Sequence, residues 1–213
     1  MLSDSAFTVF IVDDDSGVIR ALSRLLKSRG YETESFTSSR EFLEQHDAAL
    51  PGCAVLDLSM PDLNGLELQQ ALTREGAVPR PIIFLTGRGD IPTSVQAMKA
   101  GAVDFLAKPF NDVELLAAVQ AAIDRDALMR RQRADREEVA RKLATLTLRE
   151  REVLEHVVAG QLNKHIAASL GTVEKTIKVH RGRIMQKMGA ASLVELVRMA
   201  DMAGIPPAPP SDL

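Results

Sequence analysis

The sequence predicts an α/β domain with a five-stranded parallel sheet and helices on both faces, followed by a small all-α domain of four helices. Two observations predict the first domain. Short apolar runs alternate with helical patterns about five times within roughly the first 120 residues, and acidic residues stand directly after two of those runs. Three helical patterns close together near the end of the chain predict the second domain.

Buried strands are predicted from apolar runs of four to six residues and from one alternating segment. The runs are Phe7–Val12, Cys53–Leu56, Ile82–Leu85 and Val103–Leu106, and the alternating segment is Tyr31–Phe36. Between the first two runs, apolar residues from Val18 to Leu26 repeat at helical spacing, and Gly30 ends that helix. Later helical faces are predicted at 66–72, 95–98 and 116–123. A parallel sheet of this kind holds its ligand site at the carboxyl ends of the strands.

We divide the chain into four segments. Residues 1–122 form the α/β domain, and 123–144 form a charged linker without Gly or Pro, which we interpret as a helix extending the preceding one. Residues 145–205 form the all-α domain. The Pro-rich residues 206–213 are predicted to be a disordered tail.

Charge is distributed unevenly along the chain. The net charge of −3 combines an acidic first part, with 17 acids and 10 bases in residues 1–122, and a locally basic stretch in residues 161–190, with six bases and one acid. This asymmetry favours two different partners, although a basic cluster by itself is more often a solvated face.

The remaining composition favours a cytoplasmic protein. The single cysteine, Cys53, opens an apolar run and is expected to be a buried structural thiol in a reducing compartment. No basic start followed by a long apolar stretch is present, so we expect no signal peptide. No uncharged run reaches the roughly 18 residues that a membrane span requires.

Five polar positions follow successive strands of the α/β domain: Asp13 and Asp14, Asp57, Thr86 and Lys108. In a parallel sheet these positions converge on one edge. Carboxylates brought together there would repel one another unless a hard cation lies among them, and Mg²⁺ prefers such oxygen ligands. A carboxylate beside Mg²⁺ can attack a phosphoryl group, while a lysine and a hydroxyl stabilise the phosphoryl oxygens. Each residue alone is more often a cap, a turn or a solvated side chain.

These residues resemble a known family. The segments Ile11–Asp15, Val55–Pro61, Leu85–Gly87 and Lys108–Phe110 are similar to the motifs of response-regulator receivers, which have a flavodoxin-like fold. The resemblance implies that Asp57 is the phosphoacceptor and that Asp13, Asp14, Asp57 and the Ser59 carbonyl hold Mg²⁺ or Mn²⁺. It further implies that Thr86 is the switch hydroxyl, Phe105 the aromatic switch residue and Lys108 the phosphate-contacting lysine of the phosphorylation site, and that the Lys108–Pro109 bond is cis.

The all-α domain shows the order of elements of a helix-turn-helix. Thr147–Glu150 is a capping box, Gly171 ends a short helix at Asn163–Leu170, and a longer helix is predicted from about Val173 to Met188. In that longer helix Val173, Ile177, Ile184 and Met188 are predicted to face the core. Lysines and an outward valine on the opposite side suit a DNA major groove.

The segments Leu146–Leu154, Asn163–Ala167, Lys178–Arg181 and Ser192–Leu196 resemble a LuxR-type helix-turn-helix of the NarL/FixJ family, in its FixJ, StyR and TodT group. The expected DNA-contacting residues are Lys164, Lys175, Thr176, Lys178, Val179, His180, Arg181, Arg183 and Lys187. Two positions depart from the family. Thr172–Val173 replaces the usual Ile-Ser pair, which removes the N-cap hydroxyl or moves it to Thr172, and Gly182 leaves one groove-facing position without a base-reading side chain.

We therefore expect a DNA-binding regulator that accepts a phosphoryl group on Asp57 but is not an enzyme. Its expected partners are a sensor histidine kinase, promoter DNA, RNA polymerase and, on phosphorylation, a second copy of the chain, with no membrane. Two alternatives stay open. One is a haloacid-dehalogenase-type phosphatase in which Asp13 and Asp15 act together, although no later acidic pair supports it. The other is a constitutive DNA binder with a vestigial receiver.

Overall fold

The computed structural model describes residues 7–74, 80–87 and 91–209. The chain divides into two compact units, residues 1–130 and residues 131–213. The first unit contains a five-stranded parallel sheet in the order β2-β1-β3-β4-β5. The strands are β1 (Thr8–Val12), β2 (Glu32–Phe36), β3 (Gly52–Asp57), β4 (Ile82–Thr86) and β5 (Asp104–Ala107).

Helices alternate with these strands, as the sequence predicts. They are α1 (Ser16–Ser28), α2 (Ser39–Gln45), α3 (Gly65–Arg74), α4 (Ile91–Lys99) and α5 (Asp112–Ala144). The predicted helical linker is confirmed, because α5 runs without a break from Asp112 to Ala144. Asn111 begins this helix by accepting a hydrogen bond from the Glu114 amide at 2.8 Å.

Two apolar layers enclose the sheet. One face packs Phe10, Leu56 and Phe84 against α2, α3 and α4, and the other packs alternate residues such as Ile11 and Ile83 against α1 and α5. Strands β1, β3 and β4 are buried along their whole length, as expected for parallel strands covered on both sides. Cys53 is fully buried, and burial raises the pKa of its thiol to about 12, so it is an inert structural residue.

Helix α2 is the element for which the sequence showed no pattern. It has only seven residues, and Phe42 is its buried apolar anchor. Its N-cap, Ser38, accepts a hydrogen bond from the Glu41 amide at 3.1 Å, and the Glu41 carboxylate accepts one from the Thr37 amide at 3.0 Å. Capping by the Ser38 hydroxyl and the Glu41 carboxylate, rather than apolar periodicity, therefore marks this helix.

The second unit holds four further helices around one apolar core. They are α6 (Leu148–Val158), α7 (Asn163–Ser169), α8 (Glu174–Met188) and α9 (Leu193–Met202). The Thr147–Glu150 capping box is present with both of its hydrogen bonds. Gly171 and Gly189 follow α7 and α8 with positive φ angles of 62° and 65°, which glycine adopts without steric cost.

The start of the tail departs from the disorder that its composition predicts. The Ala208 amide donates to the Glu155 carbonyl at 3.0 Å, and the Gln161 side chain donates to the Pro209 carbonyl at 3.2 Å. These bonds hold the Pro-rich segment against the second unit even though it forms no helix or strand. Residues 210–213 lie outside the described residues.

A partly buried ion pair within α5 ties residues beyond position 122 to the rest of the first unit. Asp126 is 3% exposed, and its Oδ2 lies 2.8 Å from Nε of Arg130. The Arg130 guanidinium also donates to the carbonyl oxygen of Ala49, at 3.0 Å, and to that of Leu50. One guanidinium therefore links α5 to the loop that precedes β3.

We expect Arg130→Met to lower the free energy of unfolding of the first unit by about 2–4 kcal/mol, because it leaves a buried carboxylate and two carbonyls without their partner. Tyr31 is the only tyrosine and the chain has no tryptophan. Tyrosine fluorescence during urea unfolding therefore reports on this unit alone. The double variant Asp126→Asn/Arg130→Met should recover part of the loss. Equal stability of Arg130→Met and the wild type would contradict the role of the pair.

Candidate functional site

The strand order explains why the predicted pocket residues meet. The chain reverses its direction of winding between β1 and β3, and this switch point is where such sheets bind ligands. Asp13 directly follows β1 and Asp57 ends β3, the neighbouring strand, with Val12 opposite Leu56. Thr86 ends β4 next to it, and Lys108 follows β5. The structure brings the carboxylates and the lysine together as predicted.

Lys108 connects the two buried carboxylates. Its Nζ lies 2.7 Å from Oδ2 of Asp13 and 2.9 Å from Oδ1 of Asp57, and the two aspartates are 1% and 5% exposed. The Lys108 amide donates to the Thr86 carbonyl at 2.6 Å, and the Lys108–Pro109 bond is cis, as the resemblance implies. Backbone contacts of β4 and β5 therefore direct the ammonium toward the ends of β1 and β3.

The pKa values in this pocket reflect burial and the ion pairs. Burial raises the pKa of Asp13 above its ordinary value, and the hydrogen bonds from Lys108 and the Asp15 amide offset this effect only partly. For Lys108, burial is the largest single influence and lowers the pKa, but the two carboxylates together raise it above the ordinary value. Lys108 therefore stays protonated and positive beside the two aspartates.

The donor set of the pocket fits a hard divalent cation. Carboxylate oxygens of Asp13, Asp14 and Asp57 all lie within 4.8 Å of one another. The Ser59 amide donates to Oδ2 of Asp57 at 2.9 Å, so the backbone at Ser59 lies against the same carboxylate. Asp14 is exposed, so an ion held there could keep part of its water shell.

Asp15 has a different role from its two neighbours. It is the N-cap of α1, and its Oδ1 accepts the Gly17 amide at 2.6 Å. In the phosphatase alternative this residue would have to act as the acid and base beside Asp13. Its engagement as a helix cap argues against that alternative.

The two predicted switch residues sit on adjacent strands. Thr86 is 3% exposed at the end of β4, one strand away from Asp57. Phe105 lies opposite Phe84 in the β4–β5 pairing and is half-buried, in contact with the apolar layer beneath α4. The buried Thr86 hydroxyl and the half-buried Phe105 ring thus both lie in the part of the domain formed by β4, β5 and α4.

Sequence reasoning missed two residues that shape the loop after Asp57. Ser39 is fully buried, and its hydroxyl donates to the Leu63 carbonyl at 2.7 Å. At Gly65 an added Cβ would lie 2.9 Å from the Asp57 carbonyl oxygen and 2.9 Å from the Phe84 ring, so only glycine fits there. The Asn64–Gly65 dipeptide is a turn signal that could have indicated this position.

In the second unit, α8 buries the predicted apolar side. Ile177, Ile184 and Met188 are fully buried. The prediction is wrong for Val173, which precedes the helix as its N-cap, is 64% exposed and provides no side-chain hydrogen bond. The usual cap hydroxyl is therefore absent and is not replaced by Thr172. The extended backbone at Val173 is the position where a serine or threonine would cap the helix.

The predicted DNA-contacting residues differ in exposure. Exposed members are Lys164, Lys175, Lys178, Val179 and Arg183, while Thr176, His180, Arg181 and Lys187 are half-buried. His180 Nδ1 is buried and lacks a hydrogen-bond partner within the described part of the chain. Arg181 lines a groove of about 460 Å³ together with Lys164 and Leu193. The ammonium of Lys187 is directed inward, toward Glu150 and the Thr145 carbonyl.

Neither unit contains a helix that could cross a bilayer, as judged over the described residues.

A receiver fold with an assembled acidic pocket, followed by a four-helix helix-turn-helix unit, defines a DNA-binding response regulator. Family comparisons agree: residues 9–120 match the response regulator receiver domain, and residues 144–200 match the bacterial regulatory proteins of the luxR family. The chain belongs to the response regulators that carry a LuxR-type DNA-binding domain.

Three relatives illustrate the similarity. The transcriptional regulatory protein FixJ of Azorhizobium caulinodans is 47% identical over 94% of each chain. The response regulator protein TodT of Pseudomonas putida is 44% identical over 94% of this chain and 88% of its own. The solved structure of the response regulator StyR is 43% identical, covers 92% of this chain and 98% of that one, and superimposes with a TM-score of 0.77.

The missing cap on α8 generates a stability prediction. We expect Val173→Ser to raise the free energy of unfolding of the second unit by about 1 kcal/mol, because its hydroxyl can accept an amide hydrogen bond at the helix start. Val194→Ser, at an exposed site inside α9, is the matched control and should have no such effect. Thermal unfolding followed by circular dichroism measures both. An unchanged melting temperature for Val173→Ser would contradict the cap assignment.

Glu150 generates a prediction of pH dependence. The hydrogen bond from Lys187, followed by that from the Thr147 amide, lowers the pKa of Glu150 from 4.5 to about 2. Because the folded pKa is lower than the unfolded one, the carboxylate stabilises the fold above about pH 4.5, and the contribution is lost as pH falls toward 2. The stability difference between wild type and Glu150→Gln should therefore shrink from pH 6 to pH 2.5 in urea titrations. A constant difference would contradict this assignment.

Proposed function

We propose that Asp57 accepts a phosphoryl group from a sensor histidine kinase, and that phosphorylation then controls dimerisation and transcription from target promoters. The observation that carries this proposal is the contact of Lys108 Nζ with both Asp13 and Asp57 at the buried ends of adjacent strands. A lysine held between two carboxylates places a positive charge beside the proposed nucleophile, Asp57.

The transfer is a displacement at phosphorus. A carboxylate oxygen of Asp57 forms a bond to phosphorus, the P–N bond to the kinase histidine breaks, and the imidazole keeps the electron pair. Lys108 remains beside the new acyl phosphate and offsets part of its added charge of about −1.5 to −2. The chain acts here as a stoichiometric acceptor, with at most slow hydrolysis of its own phosphoaspartate, and not as an enzyme with turnover.

Asp13, Asp14, Asp57 and the Ser59 carbonyl are the residues that would hold Mg²⁺ or Mn²⁺. Their support is the clustering of the three carboxylates within 4.8 Å and the proximity of the Ser59 backbone to Asp57. When bound, the ion neutralises charge on the transferring phosphoryl oxygens. Lys108 and a divalent ion together would offset the three negative charges of Asp13, Asp14 and Asp57.

Thr86 and Phe105 are proposed as the switch. The Thr86 hydroxyl would bond a phosphoryl oxygen, and the space it leaves would accept the Phe105 ring. This change biases the surface formed by α4, β5 and α5 between two states. Val95 and Met98 on α4 are about 45% exposed, and such apolar side chains suit a surface that a second copy of the chain covers.

Helix α8 is proposed to enter the major groove of promoter DNA. Lys175, Lys178 and Val179 are exposed and fit base-edge contacts, with Thr176 beside them. Lys164, His180, Arg181 and Arg183 fit the phosphates that run along the flanks. DNA-bound dimers would then act on RNA polymerase. We infer a cytoplasmic location from the chromosomal target.

The phosphoacceptor proposal is tested with acetyl phosphate and Mg²⁺. Wild type should gain one phosphoryl group and a stronger genomic footprint, whereas Asp57→Asn should gain neither, because an amide oxygen does not form the acyl phosphate. Asp62→Asn, an exposed aspartate in the loop after β3, is the matched control and should behave as wild type. Phosphorylation is read by intact-protein mass spectrometry.

Two outcomes would reject it. If Asp57→Ala bound and activated its promoters as well as the phosphorylated wild type, the receiver would be vestigial. If the protein released phosphate from a phosphate ester over many turnovers, the phosphatase alternative would hold.

We expect Lys178→Ala to weaken binding to a footprinted fragment by about 1–3 kcal/mol and to relax specificity, because a base contact is lost. Lys27→Ala, which removes the same charge from an exposed site on α1, away from the proposed dimer surface, is the control. Gel-shift titrations on the fragment and on a scrambled duplex measure both. An equal loss on the two duplexes would mean that Lys178 touches phosphate instead.

A further inference from the structure

The second unit contains a buried carboxylate that the site described above does not use. Glu150 lies in the first turn of α6 and is 2% exposed. Its Oε2 accepts the Thr147 amide at 2.9 Å and the Lys187 ammonium at 2.6 Å. Lys187 also donates to the Thr145 carbonyl at 3.0 Å. The last turn of α8 is thereby tied to the start of α6 and to the segment just before it.

This geometry bears on the expectation that Lys187 contacts DNA. The side chain of Lys187 is 33% exposed, whereas Lys175 and Lys178 are more exposed. Turning the ammonium out toward a phosphate would leave the Glu150 carboxylate buried and without its cation. An uncompensated buried charge is strongly destabilising, so the inward position is favoured.

The contact also joins α8, the helix proposed to enter the major groove, to α6, the first of the four helices of this unit. The N-terminus of α8 has no side-chain cap, and apolar contacts of Ile177, Ile184 and Met188 hold one side of the helix. Apolar contacts of this kind fix the distance of α8 from the core better than they fix the rotation of α8 about its own axis. The Lys187–Glu150 ion pair is directional and lies at the C-terminal end of α8, so it fixes the orientation of a helix whose N-terminus has no side-chain cap.

We propose that Lys187 is a positioning residue for DNA recognition, which fixes the orientation of α8 through Glu150 and does not itself touch DNA. This inference rests on the proposed entry of α8 into the major groove. It assigns Lys187 to a role within the domain and leaves the other basic residues of α8 as the DNA contacts.

The test uses the full chain, phosphorylated with acetyl phosphate, and a variant that should fold. Lys187→Met alone leaves a buried charge, so the main variant is Lys187→Met/Glu150→Gln, which removes both charges and keeps an acceptor for the Thr147 amide. Circular dichroism first measures the folded fraction. Binding is then titrated at several salt concentrations on a fragment footprinted with wild type and on a scrambled duplex of equal length.

The expected result has two parts. The ratio of specific to non-specific affinity should fall about tenfold, because misoriented base contacts are lost while phosphate contacts remain. The slope of log affinity against log salt should equal that of wild type. Arg183→Met, at an exposed flank position, is the matched control and should reduce the slope magnitude by about 0.9.

Two results would overturn the inference. A slope reduced as in Arg183→Met would make Lys187 a phosphate contact. A specificity ratio equal to that of wild type would mean that the pair serves stability alone. If wild type itself bound no fragment better than the scrambled duplex, the proposed function would fail instead, which separates the two hypotheses.

Discussion

Two carboxylates with their side chains buried at the ends of neighbouring strands impose the central constraint on this molecule. Asp13 and Asp57 are carried to the same edge by β1 and β3, whose burial on both faces leaves no freedom for the side chains to separate. Their mutual repulsion requires a positive charge within reach. Lys108 provides it because the backbone of β5 continues beside β4 and directs the ammonium across two strands.

The DNA-binding unit solves a related problem with different elements. Glu150 is buried at the beginning of α6, where its carboxylate completes a capping box, and Lys187 neutralises it from α8. In both units a lysine distant in the chain offsets a buried acid. In the receiver the acid is proposed to react, whereas in the second unit it holds two helices together.

Much of the fold follows from the sequence because its causes are local. Buried parallel strands appear as apolar runs, and residues just after them must meet at one edge. The amino-acid sequence alone therefore suffices to group Asp13, Asp57 and Lys108 in one pocket. Helix α2 could not be predicted in this way, because it depends on capping by Ser38 and on one buried ring, Phe42.

Several features of the second unit have tertiary causes that the sequence does not reveal. Helical periodicity placed Val173 in the core, but the helix begins one residue later and the side chain is exposed. Lys187 has the spacing of a DNA-contacting residue, and only the packing of α6 against α8 shows where its ammonium goes. The Pro-rich composition of the tail likewise does not reveal that the Ala208 amide donates a hydrogen bond to the Glu155 carbonyl.

The guanidinium of Arg130 has a consequence for engineering hybrid regulators. Because it bonds the loop before β3 and pairs with Asp126, the turns of α5 from residue 123 to residue 130 are part of the receiver's own framework. A fusion junction at residue 122 would remove both Asp126 and Arg130, and with them the contacts that hold this part of α5 to the receiver. Joining a foreign output domain after Arg130 instead keeps the receiver domain complete, so that it can be transferred as one unit.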